Sequence, residues 1–368
     1  MKLAEPLPKT NAPKEEEGEL TFCSTDEGVK KILKTRPAGK MLFVTDSGAL
    51  GAFRGCLPPH AICLVLDSEE CLPLFCASDD LSYVAAAGKK STIVAARFFA
   101  RVRKIPCTVF PSSMTFDGAY EKFGEVRFGS KTERVSLQEA RVCCDSALSK
   151  PSAGQAYMRL LLSRLALVEA KAMRRFGVEY GAEEAEERAY FSLLSLKGDS
   201  LDLASVARKN AELRRCERDG MNRGEGVTLA QSIGREGEEQ AFFLLSALYS
   251  AFFERGKPRL SVPDYAARAK RADAPYFKQN VPTVDELLFR GTRLAGMRKE
   301  FYGELSAFLS GGLHYRNNFF SLTGRAPSDG RELSYLKSLP ERTAGLSAMI
   351  RDFGLMDWEE EDILEKSV

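Results

Sequence analysis

Short apolar runs alternate with polar turns in the first third of the chain, a pattern that predicts the strands of an open sheet. Between the fourth and fifth runs, Ile93, Ala96 and Phe99 recur at helical spacing and predict a helix. Such a strand–helix–strand unit is parallel, and ligands bind beyond the carboxyl ends of its strands. The predicted strands span residues 20–23, 40–45, 61–66, 83–87, 107–110 and 125–128.

After Gly154 the apolar residues recur at helical spacing, and no short apolar run bounded by turn residues predicts a strand. Pro151 lies among small and polar residues, which is typical of a domain boundary. We therefore predict a mobile arm (1–18), an α/β Rossmann-like domain (19–148) and an all-α domain (149–368). The predicted helices of the second domain span residues 157–176, 183–196, 201–217, 228–253, 284–309 and 333–353.

Composition limits the classes of partner. The chain has 368 residues, of which 44% are hydrophobic, enough apolar mass for two cores. Its 53 basic and 51 acidic residues nearly balance, so we expect no nucleic-acid partner. The nine cysteines form no C-x-x-C pair and are interpreted as reduced thiols. No apolar run reaches the length of a signal peptide or membrane span, so we expect a cytoplasmic protein without a membrane partner.

The order of residues around the predicted helix carries a resemblance to a known family. It resembles the iron-containing alcohol dehydrogenase and dehydroquinate synthase superfamily, nearest the sn-glycerol-1-phosphate dehydrogenase branch. The resemblance implies a dehydroquinate synthase-like fold, a ligand in the cleft between the two domains, and a homodimer. The residues that carry it are Gly88, Lys89, Lys90 and Ser91, then Val94 and Arg97, then Pro111, Ser112 and Thr115–Gly118.

The same resemblance implies a metal site whose residues differ here. Family members hold zinc or iron with one carboxylate and two histidines, and this metal stabilises an alkoxide. The matching positions carry Tyr157, Val227 and Glu236. Valine has no lone pair and a protonated tyrosine is a poor ligand, so we expect no metal. Of the chain's two histidines, His60 is interpreted as a loop cap and His314 as an ordinary, partly exposed histidine.

Cofactor binding is predicted at the turn after the fourth strand, although lysines replace two of the family's three successive glycines there. Lys89 and Lys90 place side chains where a pyrophosphate would approach, but they also attract phosphate. The resemblance implies NAD or NADP as the cofactor, and the two lysine side chains at this turn oppose its close approach. Asp46, after the second strand, either accepts ribose hydroxyls and favours NAD, or is a turn residue. The predicted cofactor residues are Asp46, Gly88, Lys89, Lys90, Ser91 and Ser112.

Three functions follow from these residues. The first is a metal-free, catalytically degraded relative of glycerol-1-phosphate dehydrogenase that binds a polyol or phosphate-bearing ligand. In it Asp117 hydrogen-bonds substrate hydroxyls, or else caps a turn. The second is an active NAD(P)-dependent polyol oxidoreductase in which Tyr157 or Glu236 is the general acid. The third is a non-enzymatic interaction protein. The candidate catalytic residues are Asp117, Tyr157 and Glu236.

Overall fold

The structure is a computed structural model. It describes residues 20–35, 39–68, 70–78, 80–178, 180–194, 196, 201–234, 236–255, 285–286, 289, 298–328, 345–347 and 350. The predicted arm lies outside these residues, as do nearly all of the helix predicted at 333–353 and most of 284–297. Among the described residues no helix is long and apolar enough to cross a membrane.

The first unit is built on a six-stranded sheet in which every neighbouring pair is parallel. The strands are β1 (Leu20–Cys23), β2 (Lys40–Thr45), β3 (Ile62–Val65), β4 (Leu81–Gly88), β5 (Cys107–Pro111) and β8 (Arg141–Asp145). Their order in the sheet is β1-β8-β5-β4-β2-β3. Sequence patterning predicted the first five of these to within two residues at each end.

The central strands are apolar on both faces. β5 is buried along its whole length, and β4 is buried at seven of its eight positions. Continuous burial of this kind is expected of a parallel strand whose two faces are both covered. The chain leaves β2 toward β3 and leaves β4 toward β5, in opposite directions along the sheet. The carboxyl ends of β2 and β4 therefore form the switch point at which α/β sheets bind ligands.

One predicted strand of this domain belongs to a different sheet. The strand predicted at 125–128 is β6 (Phe123–Phe128), which pairs antiparallel with β7 (Lys131–Ser136) in a two-stranded ribbon. The main sheet is completed instead by β8, which no sequence prediction covered. The Gly129 turn, at φ 60°, joins β6 directly to β7 and makes the local hairpin geometrically easier than a crossover to β5.

The helices of this unit connect the strands. The longest, α4 (Lys90–Arg103), begins two residues after Gly88, and Lys104, the residue after it, adopts φ 55°. Its Arg97 is buried and donates to the carbonyl oxygens of Gly118 (2.5 Å), Glu121 (2.9 Å) and Gln138 (2.8 Å). The helices are α1 (Thr25–Thr35), α2 (Ser47–Phe53), α3 (Leu72–Phe75) and α4 (Lys90–Arg103).

The second unit is helical over its described residues. Its described helices are α5 (Ser146–Ser149), α6 (Ala153–Arg175), α7 (Glu183–Leu194), α8 (Leu203–Arg218), α9 (Glu225–Ile233), α10 (Gly237–Arg255), α11 (Arg298–Leu309) and α12 (Gly312–Thr323). The central helix is α6, whose residues are almost all buried and which packs against every helix from α7 to α12. An α/β Rossmann-like unit followed by an all-α unit confirms the predicted fold class.

Two helical predictions need correction. The single helix predicted at 228–253 is two helices, α9 and α10, because Gly234 turns the chain at φ 84° and Glu236 follows at φ 59°. A Cβ at Gly237 would also lie 2.1 Å from the Ala230 carbonyl oxygen, so only glycine fits this close approach. α12 was not predicted, although His314 was placed near a helix end.

The chain divides into two compact units that are not quite sequential. Residues up to 111 and 118–145 form the sheet unit, whereas 112–117 group with the residues from 146 onward. The loop that carries Asp117 therefore belongs to the helical unit.

Replacement of Gly88 by alanine tests the switch-point turn. Gly88 has φ 139°, and a Cβ there would lie 2.1 Å from Asp46 Oδ2. We expect Gly88→Ala to lower the free energy of unfolding by about 3 kcal/mol, measured by urea denaturation. Gly51, within α2, has open space around its Cβ position. Gly51→Ala should raise stability by about 0.5–1 kcal/mol. Equal changes in the free energy of unfolding for the two variants would show that alanine is not strained at residue 88.

Candidate functional site

The turn after β4 is organised by Asp46, which lies at the end of β2 and is buried. Its Oδ1 accepts from the backbone N–H of Ala49 (2.9 Å), and its Oδ2 accepts from the N–H of Lys89 (2.7 Å). One carboxylate thus caps the N-termini of both α2 and α4. Negative charge is favoured at both places because helix N-termini carry partial positive charge.

The other predicted cofactor residues surround this cap. The side chains of Lys89 and Lys90 are exposed, and that of Ser91 is half-buried at the first turn of α4. Asp46 already binds the Lys89 amide that a phosphate could have used, while both lysine ammonium groups remain available to an anion. A role for Asp46 in ribose binding stays a prediction. Ser112, half-buried, lies in the helical unit and is described with Asp117.

Residues 112–117 form a tightly bonded loop. Thr115 Oγ1 donates to Asp117 Oδ2 (2.7 Å), and the N–H of Thr115 donates to Ser113 Oγ (3.2 Å). The N–H of Met114 donates to Ser152 Oγ (2.8 Å). Phe116 is buried at φ 53°, a region that non-glycine residues rarely adopt outside strained or functional loops. The loop therefore holds Asp117 in one fixed orientation.

Arg214, on α8, holds the same loop from the helical unit. Its Nε donates to the carbonyl oxygen of Thr115, and its Nη2 donates to Asp117 Oδ1, both at 2.6 Å. Burial raises the pKa of Asp117, but the positive charges of Arg214 and Arg159 and the bond from Thr115 outweigh burial, so this pKa lies below its ordinary value. About 35% of the Asp117 side chain is exposed. The site thus presents an ionised carboxylate to solvent.

More charges adjoin this pair. Glu217 Oε2 accepts from Arg214 Nη1 (2.6 Å) and forms an ion pair with Arg223 Nε (2.9 Å). Arg159, on α6, interacts electrostatically with the charged groups of Asp117, Arg214, Glu217 and Arg223. We call Asp117, Arg159, Arg214, Glu217 and Arg223 the Arg159 cluster.

The other two predicted catalytic residues lie apart from Asp117. Tyr157 is fully buried on α6, its hydroxyl accepts from Asn318 Nδ2 (3.5 Å), and burial raises its pKa to about 12. Tyr157 is two residues from Arg159, so the two side chains point about 200° apart around the axis of α6.

Glu236 forms an ion pair with Arg325 (3.8 Å) and lines a cavity of about 660 Å³ with Gln155. Among the described residues the three candidates share no hydrogen bond or ion pair.

Sequence reasoning missed the arginines of the cluster and a second buried group of charges. The signal was present in α6, where Arg159, Arg164 and Glu169 lie within a largely apolar stretch, residues 156–170. A helix that is apolar on all sides is buried, so charged residues within it need specific partners. All three are buried in the structure.

Glu169 meets Glu225, the first residue of α9, in the core of the helical unit. Glu169 Oε2 accepts from the N–H of Glu225 (3.0 Å), and the hydroxyl of Tyr249 contacts both carboxylates (3.2 and 3.0 Å). Tyr180 donates to Glu169, and the N–H of Ser347 donates to Glu225 Oε2 (2.8 Å). Burial, followed by the charge of Glu225, raises the pKa of Glu169 to about 8. The raised pKa favours the protonated form of Glu169.

Comparisons with known proteins give only distant likenesses. No protein-family model matches the chain, and no curated protein matches it. An iron-containing alcohol dehydrogenase from Corynebacterium glutamicum is 12% identical, with a TM-score of 0.48 over 95% of this chain and 94% of its own. A maleylacetate reductase from Agrobacterium tumefaciens is 11% identical, with a TM-score of 0.48 over 95% of both chains. A glycerol dehydrogenase from Schizosaccharomyces pombe is 13% identical, with a TM-score of 0.45 over 84% of this chain and 92% of its own. Likenesses at this level do not assign the chain to a family.

Asp117→Asn tests the ion pair with Arg214. The neutral amide leaves a buried guanidinium with one charged partner fewer. We expect a loss of about 1–2 kcal/mol in the free energy of unfolding at pH 7, less than for a fully buried pair because solvent screens Asp117. Since the pKa of Asp117 is lowered by folding, its contribution is present above about pH 4 and disappears as the pH falls through the folded-state pKa. Chemical denaturation at pH 7 and pH 3 should therefore show a difference between wild type and variant that narrows in acid.

The control for this variant is Asp219→Asn. Asp219 pairs with Arg188, whose side chain is 51% exposed, and should contribute at most about 0.5 kcal/mol. An Asp117→Asn effect as small as the control's would show that the pair with Arg214 is weak.

Glu169→Gln tests the buried carboxylate pair. Because the pKa of Glu169 is higher in the folded state, the folded protein binds more protons than the unfolded chain between about pH 4.5 and about pH 8. Wild-type stability should therefore fall as the pH rises through this window, and the neutral variant should lose this slope. The measurement is the free energy of unfolding from pH 5 to pH 9. An unchanged slope in Glu169→Gln would contradict proton uptake at this residue.

Proposed function

We propose that this protein is a divergent relative of sn-glycerol-1-phosphate dehydrogenases that binds a small polyol or polyol phosphate at Asp117 and does not carry out the family's metal-assisted hydride transfer. One observation carries the binding role. Asp117 is an ionised, partly exposed carboxylate fixed by Arg214 and Thr115 beside a strained residue, Phe116. A carboxylate that is already fixed loses little conformational entropy when it accepts hydrogen bonds from adjacent hydroxyl groups of a ligand.

The residues that match the metal ligands of the resembled family cannot hold a divalent ion. Val227 offers no donor atom, and the hydroxyl of Tyr157 keeps its proton because burial raises its pKa to about 12. Glu236 is left as a single carboxylate, and Arg325 already pairs with it. Zinc sites in enzymes use three protein ligands, so one carboxylate is too few. The proposal therefore routes no step through a metal.

The turn after β4 supports weak dinucleotide binding at most. The Asp46 carboxylate bonds to the Lys89 amide at 2.7 Å, so a pyrophosphate at that amide would have to displace a like charge. Binding of NAD or NADP through Lys89 and Lys90 belongs to the alternative of an active polyol oxidoreductase. The homodimer and the cytoplasmic location stay predictions.

Ligand titration tests the proposal. Isothermal titration calorimetry of wild type with glycerol and glycerol 1-phosphate should detect binding, and Asp117→Asn should weaken it about tenfold or more, as expected for one lost charge-assisted hydrogen bond. Asp219→Asn should bind like wild type. NADH and NADPH fluorescence titrations should show no saturable binding.

Activity assays decide between the proposal and its alternative. Protein incubated with zinc or iron(II) should oxidise neither polyol with NAD or NADP above background. Stoichiometric metal together with turnover of glycerol 1-phosphate would overturn the proposal in favour of a working dehydrogenase.

A further inference from the structure

The helical unit contains an apolar cavity that is separate from the residues of the proposed function. Its volume is about 280 Å³, and it lies between α6, α10 and the chain from Leu309 to Pro327. None of its described lining residues belongs to the Arg159 cluster or to residues 112–117. Most of its walls are apolar or aromatic side chains, namely Met158, Leu161, Phe242, Phe243, Leu309 and Tyr315.

The cavity has the size and lining of a small-molecule site. Ligand sites are concave, mostly apolar, and carry only a few polar groups. Apolar cavities hold little water, and one of about 150 Å³ in another protein binds benzene. By proportion, this cavity has room for about 11 non-hydrogen atoms. An apolar molecule of that size would gain free energy by leaving water for these walls.

The aromatic walls hold each other in place. The Phe242 ring lies edge-on to that of Tyr315, with centroids 6.5 Å apart and planes at 90°, and edge-on to that of Phe308 at 6.2 Å and 81°. The Tyr315 hydroxyl donates to the carbonyl oxygen of Phe308 (2.7 Å), which fixes this ring as well. Rings that are held in this way do not turn to fill the space beside them.

Ser246 forms part of the wall on α10. It is 4% exposed, and within the described part of the chain its Oγ has no hydrogen-bond partner. By contrast, Ser163 and Ser232 donate to the carbonyl oxygen four residues earlier in their helices (2.8 and 2.9 Å). A buried hydroxyl without an acceptor costs free energy. A larger apolar side chain would remove this cost and fill the cavity, so serine keeps the cavity open at the expense of stability.

Arg316 brings a charge to the cavity. Among the described lining residues it alone is charged at neutral pH. It is exposed, so it marks the opening to solvent, and its guanidinium lies 5.8 Å from the centroid of the Phe243 ring in the wall. A guanidinium binds carboxylates with paired N–H groups. A carboxylate beside Arg316 would stay partly solvated while the apolar body attached to it entered the cavity.

From these walls and this charge we infer that the cavity binds a small monocarboxylic acid with an apolar body, either a medium-chain alkyl or an aryl-alkyl group. The apolar body lies between Met158, Phe242 and Ser246, and the carboxylate lies beside Arg316. This site does not involve Asp117, so the inference goes beyond the proposed function and does not depend on it.

Calorimetric titration of wild type tests the apolar body. The probes are butanoate, hexanoate, octanoate and 3-phenylpropanoate. Each buried methylene strengthens binding about fourfold, so octanoate should bind with one molecule per chain and about tenfold or more tightly than hexanoate. The tighter of octanoate and 3-phenylpropanoate identifies the body as a chain or a ring. No saturable binding of either would overturn the inference.

Ser246→Leu tests whether the ligand lies in this cavity. The leucine side chain should fill the cavity and abolish octanoate binding. It should also raise the melting temperature by about 2–4 °C, because it buries apolar surface and removes the hydroxyl without an acceptor. A more stable variant that no longer binds cannot owe the loss to misfolding. Unchanged octanoate affinity in this variant would overturn the inference.

Arg316→Gln tests the carboxylate contact. It should weaken octanoate binding about threefold to fivefold, as expected for an exposed ion pair, and leave the affinity for octan-1-ol unchanged. Arg208→Gln is the matched control, because Arg208 is an exposed arginine on α8 outside the cavity lining. The control should bind both probes like wild type.

Equal changes for the acid and the alcohol in Arg316→Gln, or equal octanoate losses in both arginine variants, would overturn the assignment of an acid. This comparison also decides the inference if Ser246→Leu does not fold. Titration of Ser246→Leu with glycerol 1-phosphate should match wild type, so the two proposals succeed or fail separately.

Discussion

Buried guanidinium groups that donate to backbone carbonyls are the interaction on which the candidate site depends. In the helical unit, Arg214 binds the Thr115 carbonyl and the Asp117 carboxylate with one side chain. In the sheet unit, Arg97 binds the carbonyls of Gly118, Glu121 and Gln138. A loop usually lies on the surface with its polar groups in water. Here the carbonyls of Thr115, Gly118 and Glu121, in the segment that follows β5, accept from buried guanidinium groups, so these turns are held without a ligand.

The strands were predictable because their physical signal is local. β2 and β4 are apolar runs bounded by turn residues, and burial on both faces requires that composition. β8 was missed because its residues Arg141–Asp145 include two cysteines and two charges, and only pairing with β1 and β5 makes them a strand. The break between α9 and α10 was missed because the helical period continues across it.

The site was predictable in part, for a similar reason. A carboxylate that follows a strand, as Asp46 does, or that precedes a glycine, as Asp117 does, stands out in the sequence. Arg214 and Arg159 do not, because arginine is common on helix surfaces and only the fold buries these two. The difference in their bonding also could not be predicted: each Arg214 nitrogen donates to an acceptor, while Arg159 has a buried nitrogen without one.

The Asp46 cap has a consequence for how this protein can evolve. Asp46 and Gly88 are matched, because the carboxylate fills the volume that a side chain at residue 88 would need. A shorter residue at 46 would create room at 88 but would leave two helix N-termini without an acceptor. A substitution at either position alone therefore destabilises the turn, so the two residues are expected to change together. A descendant with a larger residue at 88 would need both a new acceptor for the two helices and a different backbone conformation at the turn, because φ 139° strains any residue other than glycine.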